Sequence, residues 1–184
     1  MGVAYDWPRT LMARGAGALR AEHLRLRSQE ARSGVLHCFL LDCSGSMVAG
    51  GKLARAKGVL LALMDEAYRR RDQVALLSFG GGKVELHMPP RRARVWNEAW
   101  ITPIGGGGGT PLQAAVEQAG ELLMRSAHLR RCIWLLTDGR TLEKPARPAA
   151  ADVVHLIDFE ASHMPLRRAE RLAADWGAHY VRIG

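Results

Sequence analysis

Short apolar runs alternate along this chain with longer segments whose apolar residues recur at i, i+3 and i+4. That alternation limits the fold more than any other feature. The run Val35-Leu36-His37-Cys38-Phe39-Leu40-Leu41 is nearly continuous in apolar character, which suits a strand buried on both faces. Residues 52–70 then place Leu53, Ala56, Val59, Leu60, Leu63, Met64, Ala67 and Tyr68 on one helical face. A second strand is predicted over 73–79. After Gly80-Gly81-Gly82, residues 83–88 alternate as a third strand, antiparallel at an edge and ended by Pro89-Pro90. A short helix is expected over 91–100. Thr110 is a good N-cap and Pro111 a good first residue for a helix to about 127. Strands follow over 131–137 and 153–159. Pro165 opens a helix that Gly177 stops, and 179–183 is the last strand. The predicted class is α/β: a doubly wound, mostly parallel sheet with one antiparallel edge strand and helices on both faces. The 184 residues divide into an arginine-rich arm or surface-packed extension, 1–33, and one domain, 34–184.

Composition excludes several classes. No stretch approaches the roughly 18 uninterrupted apolar residues of a membrane span. The N-terminus lacks a charged segment followed by an apolar run, so no signal peptide is expected. The cysteines are Cys38, Cys43 and Cys132. Their odd number, and the place of two of them inside strands, points to reduced, buried thiols in a cytoplasmic protein. The net charge of +8 raises nucleic-acid binding as a class. However, the arginines are scattered, with no basic stripe interleaved with aromatics, so a solvated surface with docking sites for an acidic partner is the expected reading.

Three polar clusters follow the elements that could carry a site. Asp42, Ser44 and Ser46 stand in D-C-S-G-S at the end of the first strand. Thr110 follows the five glycines 105–109, and Asp138 follows Leu135-Leu136-Thr137. In a doubly wound sheet such loops converge on one crevice. Two carboxylates and three hydroxyls form an all-oxygen set, suited to a hard cation such as Mg2+, with Mn2+ or Ca2+ as substitutes. Each cluster has an ordinary alternative. Asp42 or Ser44 could cap the next helix, Thr110 could be only an N-cap, the glycines a plain loop, and Asp138-Gly139 a turn. Their arrival in order, each after the right element, is what argues for a site. Enzyme motifs fail by comparison. Thr110-Pro111 stands where a phosphate-binding loop needs Gly-Lys-Ser/Thr, and Asp42 occupies the first glycine position of G-x-S-x-G. His37 and His155 fall at or inside strands and read as structural.

D-C-S-G-S, G-G-T-P ending at Pro111 and L-L-T-D-G ending at Gly139 resemble the three loops of a von Willebrand factor A domain with its metal-ion-dependent adhesion site. The segments around Ala56–Leu61, Tyr68–Leu76, Leu86–Pro90 and Gly107–Leu112 resemble the C-terminal domain of the magnesium-chelatase D subunit, as does Asp6-Trp7-Pro8-Arg9-Thr10-Leu11. The resemblance implies Mg2+ held by Asp42, Ser44, Ser46, Thr110 and Asp138, with Asp138 acting through water. It implies a non-catalytic adaptor, free-standing without the family's AAA+ module. Its expected partners are an AAA+ ATPase subunit and a large chelatase subunit that inserts magnesium or cobalt, and a partner carboxylate is expected to complete the metal site. The alternative is a metal-dependent adaptor for another AAA+ ATPase.

Overall fold

The structure is a computed structural model and describes residues 13, 20–23, 34–95, 101, 104–126 and 129–183. The chain divides into two units, Met1–Ser33 and Gly34–Gly184. In the first, Ala21–His23 form a single 3-10 turn. The arm expected over 1–33 lies almost wholly outside the described residues, as do positions 96–100 of the helix expected over 91–100.

The second unit is a six-stranded sheet. Its strands are β1 (Val35–Asp42), β2 (Gln73–Gly80), β3 (Lys83–Arg92), β4 (Arg130–Thr137), β5 (Val153–Asp158) and β6 (His179–Arg182), in the order β3-β2-β1-β4-β5-β6. All neighbouring pairs are parallel except β2 with β3. Its helices are α1 (Gly45–Val48), α2 (Lys52–Arg69), α3 (Leu112–Met124) and α4 (Arg168–Trp176). The period of two along each strand sorts the core into two layers. Leu36, Cys38 and Leu40 face α3 and α4 through Leu112, Ala115, Ala119, Leu123, Ala173 and Trp176. Phe39 and Leu41 face α1 and α2 through Met47, Leu60 and Met64. The expected doubly wound architecture is therefore present. β1, the central strand, is paired on both sides, and the chain leaves it in opposite directions, toward β2 and toward β4. This makes a switch point at its carboxyl end.

Three local expectations are corrected. Pro89-Pro90 do not end β3, which continues to Arg92, so Arg91 and Arg92 are strand rather than helix. Val74 pairs with Arg91 and Leu76 with Met88, leaving both prolines opposite Ala75 in a bulge. At an edge bulge a missing N–H breaks no ladder bond. Thr110 is not the N-cap of α3. Pro111 takes that place with φ −78° and ψ 65°, an inverse γ-turn closed by the Leu112 N–H on the Thr110 carbonyl at 2.9 Å. Pro165 does not open α4. The buried Glu160 carboxylate accepts the N–H groups of Leu166 and Arg167 at 2.7 and 3.0 Å, which holds the chain in a loop until Arg168.

At the other end of α2, Arg71 lies in the left-handed region (φ 60°). The Asp72 N–H reaches back to the Ala67 carbonyl at 2.9 Å, and the Arg71 N–H to Tyr68 at 3.0 Å. This is the helix-ending motif that glycine fills without steric cost, as Gly177 does after α4. Arg71→Gly is expected to raise stability by up to about 1 kcal/mol, read as a higher midpoint in urea with an unchanged m-value.

An aromatic ladder crosses the sheet at one level. Phe39, Trp134, His155 and His179 are direct partners on β1, β4, β5 and β6. Trp134 and His155 stack with centroids 4.0 Å apart, and His155 and His179 at 4.9 Å. The Trp134 indole donates to His37 Nδ1 at 3.0 Å, while His37 Nε2 meets Asp72 Oδ2 at 3.2 Å. An indole nitrogen only donates, so His37 is neutral with its proton on Nε2. Burial pushes its pKa below 6.5, against the opposing pull of Asp72. A depressed histidine binds protons more readily when unfolded, so its stabilisation is full above 6.5 and is lost as pH falls through the window below it. Unfolding midpoints are expected to drop as pH falls below 6.5, and His37→Gln should flatten that slope.

Candidate functional site

β1 delivers Asp42 to the switch point with its carboxylate fully buried. One oxygen accepts the Ser44 N–H at 2.8 Å, and the other accepts the Thr137 hydroxyl, from the end of β4, at 2.5 Å. Burial raises the Asp42 pKa. The Ser44 and Thr137 hydrogen bonds offset part of that shift, and the nearby Asp138 carboxylate adds to it. The turn after Asp42 starts α1 at Gly45, with Ser44 as its N-cap residue. Ser44 Oγ makes no cap hydrogen bond and instead lies 3.2 Å from Ser46 Oγ. Ser46 donates to Asp138 Oδ1 at 3.0 Å, and the Arg140 N–H reaches the same oxygen at 3.2 Å.

The glycine run closes the site from the third side. The Gly107 N–H bonds the Cys43 carbonyl at 2.7 Å, and the Gly45 N–H bonds the Gly108 carbonyl at 3.2 Å. A Cβ on Gly106 would fall 2.5 Å from the Cys43 oxygen, and one on Gly108, at φ +71°, 2.8 Å from Gly81 Cα. Here the two glycines permit a close approach of backbones, so the run is more than a plain loop. It brings Thr110 to a shallow cavity of about 350 Å³, lined also by Ser44, Ser46 and Arg140. Of the five residues singled out in the sequence, Ser44, Ser46 and Thr110 line this cavity, and Asp42 and Asp138 are tied to its two serines by hydrogen bonds. Asp42, Ser44, Ser46 and Asp138 share a hydrogen-bonded network, while Thr110 joins through the cavity wall.

Two residues of the site were not singled out. Thr137 lies within the quoted L-L-T-D-G but had no role. It links the two carboxylate loops by donating to Asp42 and accepting the Gly139 N–H at 3.0 Å. Lys52, the first residue of α2, places Nζ 2.8 Å from Asp138 Oδ2, with side chains 11% and 0% exposed. Its sequence signal was a lysine at a helix start with no acid in the first turn, the reverse of what the helix dipole favours. The three thiols are free and buried, each pushed up to about 12 with burial the main cause. Cys43, inside the loop itself, is therefore an inert spacer.

The donor set fits a hard divalent cation. Its groups are hydroxyl and carboxylate oxygens, and two hydroxyls lie side by side at the cavity floor. Among the described residues no group of three or more His, Cys, Asp or Glu forms a rival centre. Fold and crevice together define an α/β domain with hydroxyl and carboxylate oxygens gathered at the carboxyl edge of its sheet.

The chain belongs to the von Willebrand factor type A domain family, whose profile matches residues 38–140. It is 34% identical to the uncharacterized protein Rv2850c of Mycobacterium tuberculosis over 92% of this chain and 30% of that protein. It is 37% identical to the magnesium-chelatase 60 kDa subunit of Cereibacter sphaeroides over 66% of this chain and 22% of the subunit. The chain thus spans about a third or less of the length of these relatives, and it is chelatase-related at the level of sequence. The solved structure of the conserved hypothetical protein BatB from Bacteroides thetaiotaomicron shares the fold. It superposes with TM-score 0.66 and 22% identity, covering 82% of this chain and 90% of that one.

Thr137→Val removes the hydroxyl that satisfies Asp42 and leaves a buried carboxylate one donor short. It is expected to cost about 1–3 kcal/mol in chemical denaturation, whereas Thr137→Ser should retain most of the stability.

Proposed function

We propose that the domain is a Mg2+-dependent adaptor of an ATP-dependent metal chelatase, and that it acts by binding partners rather than by catalysis. The observation that carries this reading is the convergence of Asp42, Ser44, Ser46, Thr110 and Asp138 on one oxygen-lined crevice in a chain related to magnesium-chelatase subunits. In this reading Ser44, Ser46 and Thr110 present hydroxyls to the cation. Asp42 supplies charge from the floor of the site, and Asp138 orients Ser46 and acts through water. Mn2+ or Ca2+ would substitute for Mg2+. When bound, the cation supplies open coordination positions, because an octahedral ion needs more oxygens than these residues bring.

The proposed partners are an AAA+ ATPase subunit and a large chelatase subunit, one of which offers an Asp or Glu to the site. The exposed Arg140 at the rim favours that acidic approach. A cytoplasmic location belongs to the same proposal. No helix among the described residues is long and apolar enough to cross a membrane.

The test is partner capture with Mg2+ and with chelator, for the wild type, Asp42→Ala and Thr110→Ala. Mg2+-dependent capture that is lost with chelator and in both variants is expected. Capture indifferent to metal and to both substitutions would overturn the reading. Insensitivity of that capture to nuclease and to moderate salt separates it from nucleic-acid bridging.

A further inference from the structure

We infer that Lys52 is a resident counter-cation of the crevice, competing with a divalent ion for the field of Asp138 and so setting how tightly that ion binds. The inference rests on the metal-site reading above and concerns a residue outside the ligand set. Lys52 stands at the first position of α2, where the exposed N–H groups disfavour a positive charge. Its side chain is 11% exposed, and lysines are almost never so buried without a partner. Both costs are met by one contact, Nζ to Asp138 Oδ2 at 2.8 Å.

That contact changes the charge of the site. Among the buried groups, Asp42 and Asp138 bring two negative charges and Lys52 returns one positive, so this buried set carries −1 rather than −2, with the Arg140 charge exposed at the rim. A bound divalent ion leaves it at +1, and a single carboxylate from a partner then brings it to neutrality. With no metal bound, Lys52 keeps Asp138 from standing buried and uncompensated.

Two effects of Lys52 on metal affinity oppose each other. Holding Asp138 in place would help a metal, whereas a positive charge beside it would repel one. The first is redundant, because Ser46 Oγ and the Arg140 N–H already fix Asp138 Oδ1 at 3.0 and 3.2 Å. The second has no substitute, and beside a pair as buried as Lys52 and Asp138 charge–charge repulsion is weakly screened. Repulsion wins, and removing the charge should tighten binding.

The experiment measures Mn2+ affinity by calorimetry for the wild type, Lys52→Met, Lys52→Gln and Lys52→Arg, with folding checked by circular dichroism. The neutral variants are expected to bind Mn2+ about tenfold or more tightly, and Lys52→Arg to stay near wild type. Their melting temperatures should also rise more on adding Mn2+ than the wild type's does. If Lys52→Met does not fold, Lys52→Gln, which keeps polar donors, decides the question. Neutral variants that bind Mn2+ no better than a wild type that binds it would overturn the role of Lys52 alone. Absence of Mn2+ binding in all four proteins would overturn the metal-site reading along with it.

Discussion

The hydrogen bond from the Thr137 hydroxyl to the buried Asp42 carboxylate holds together the two halves of the domain's working edge. Asp42 ends the central strand, Thr137 ends its neighbour β4, and the chain reaches the two from opposite winding directions. A carboxylate with no exposure is tolerable only when its oxygens are satisfied. Both are: one by a backbone N–H of the following loop, the other by a hydroxyl from the adjacent strand. Burial and hydrogen bonding therefore fix the positions of Ser44 and Asp138 relative to each other before any ligand arrives. The glycine loop adds Thr110 through backbone contacts that a side chain at Gly106 or Gly108 would obstruct.

The architecture was legible in the sequence because its determinants are periodic. Leu36, Cys38 and Leu40 against Phe39 and Leu41 announce a strand buried on both faces, and Leu53, Ala56, Leu60, Met64 and Ala67 announce a helix with one buried stripe. The convergence of Asp42, Ser44, Ser46, Thr110 and Asp138 was legible for a topological reason: each lies at or just after the carboxyl end of a strand or just before the next helix. What was not legible depended on tertiary partners. The start of α4 is set by Glu160 accepting two backbone N–H groups from residues 166 and 167, a contact no local propensity encodes. Thr110 lost its capping role to a γ-turn at Pro111, which proline's fixed φ permits as readily as a helical first turn.

Lys52 shows a different gap. Sequence reading seeks ligands among acids and hydroxyls, and a lysine near a cation site reads as surface charge. Its position at a helix start, with no acid nearby in sequence to balance it, was the available sign that its partner lay elsewhere in the fold. The pairing with Asp138 spans 86 residues and links α2, on one face of the sheet, to the loop after β4. Lys52 thus acts on the electrostatics of the crevice without lining it.

The bulge in β3 has a consequence beyond the path of that strand. An open sheet has two borders, and each is a row of unpaired donors and acceptors able to recruit another strand. On one border β6 is only four residues long. On the other, β3 spends consecutive positions on prolines, which have no hydrogen to donate, and further departs from flat register where Leu76 gives way to Leu77. Neither border is a good template for an incoming strand. The two borders of this basic sheet domain thereby offer little template for pairing edge to edge with copies of themselves.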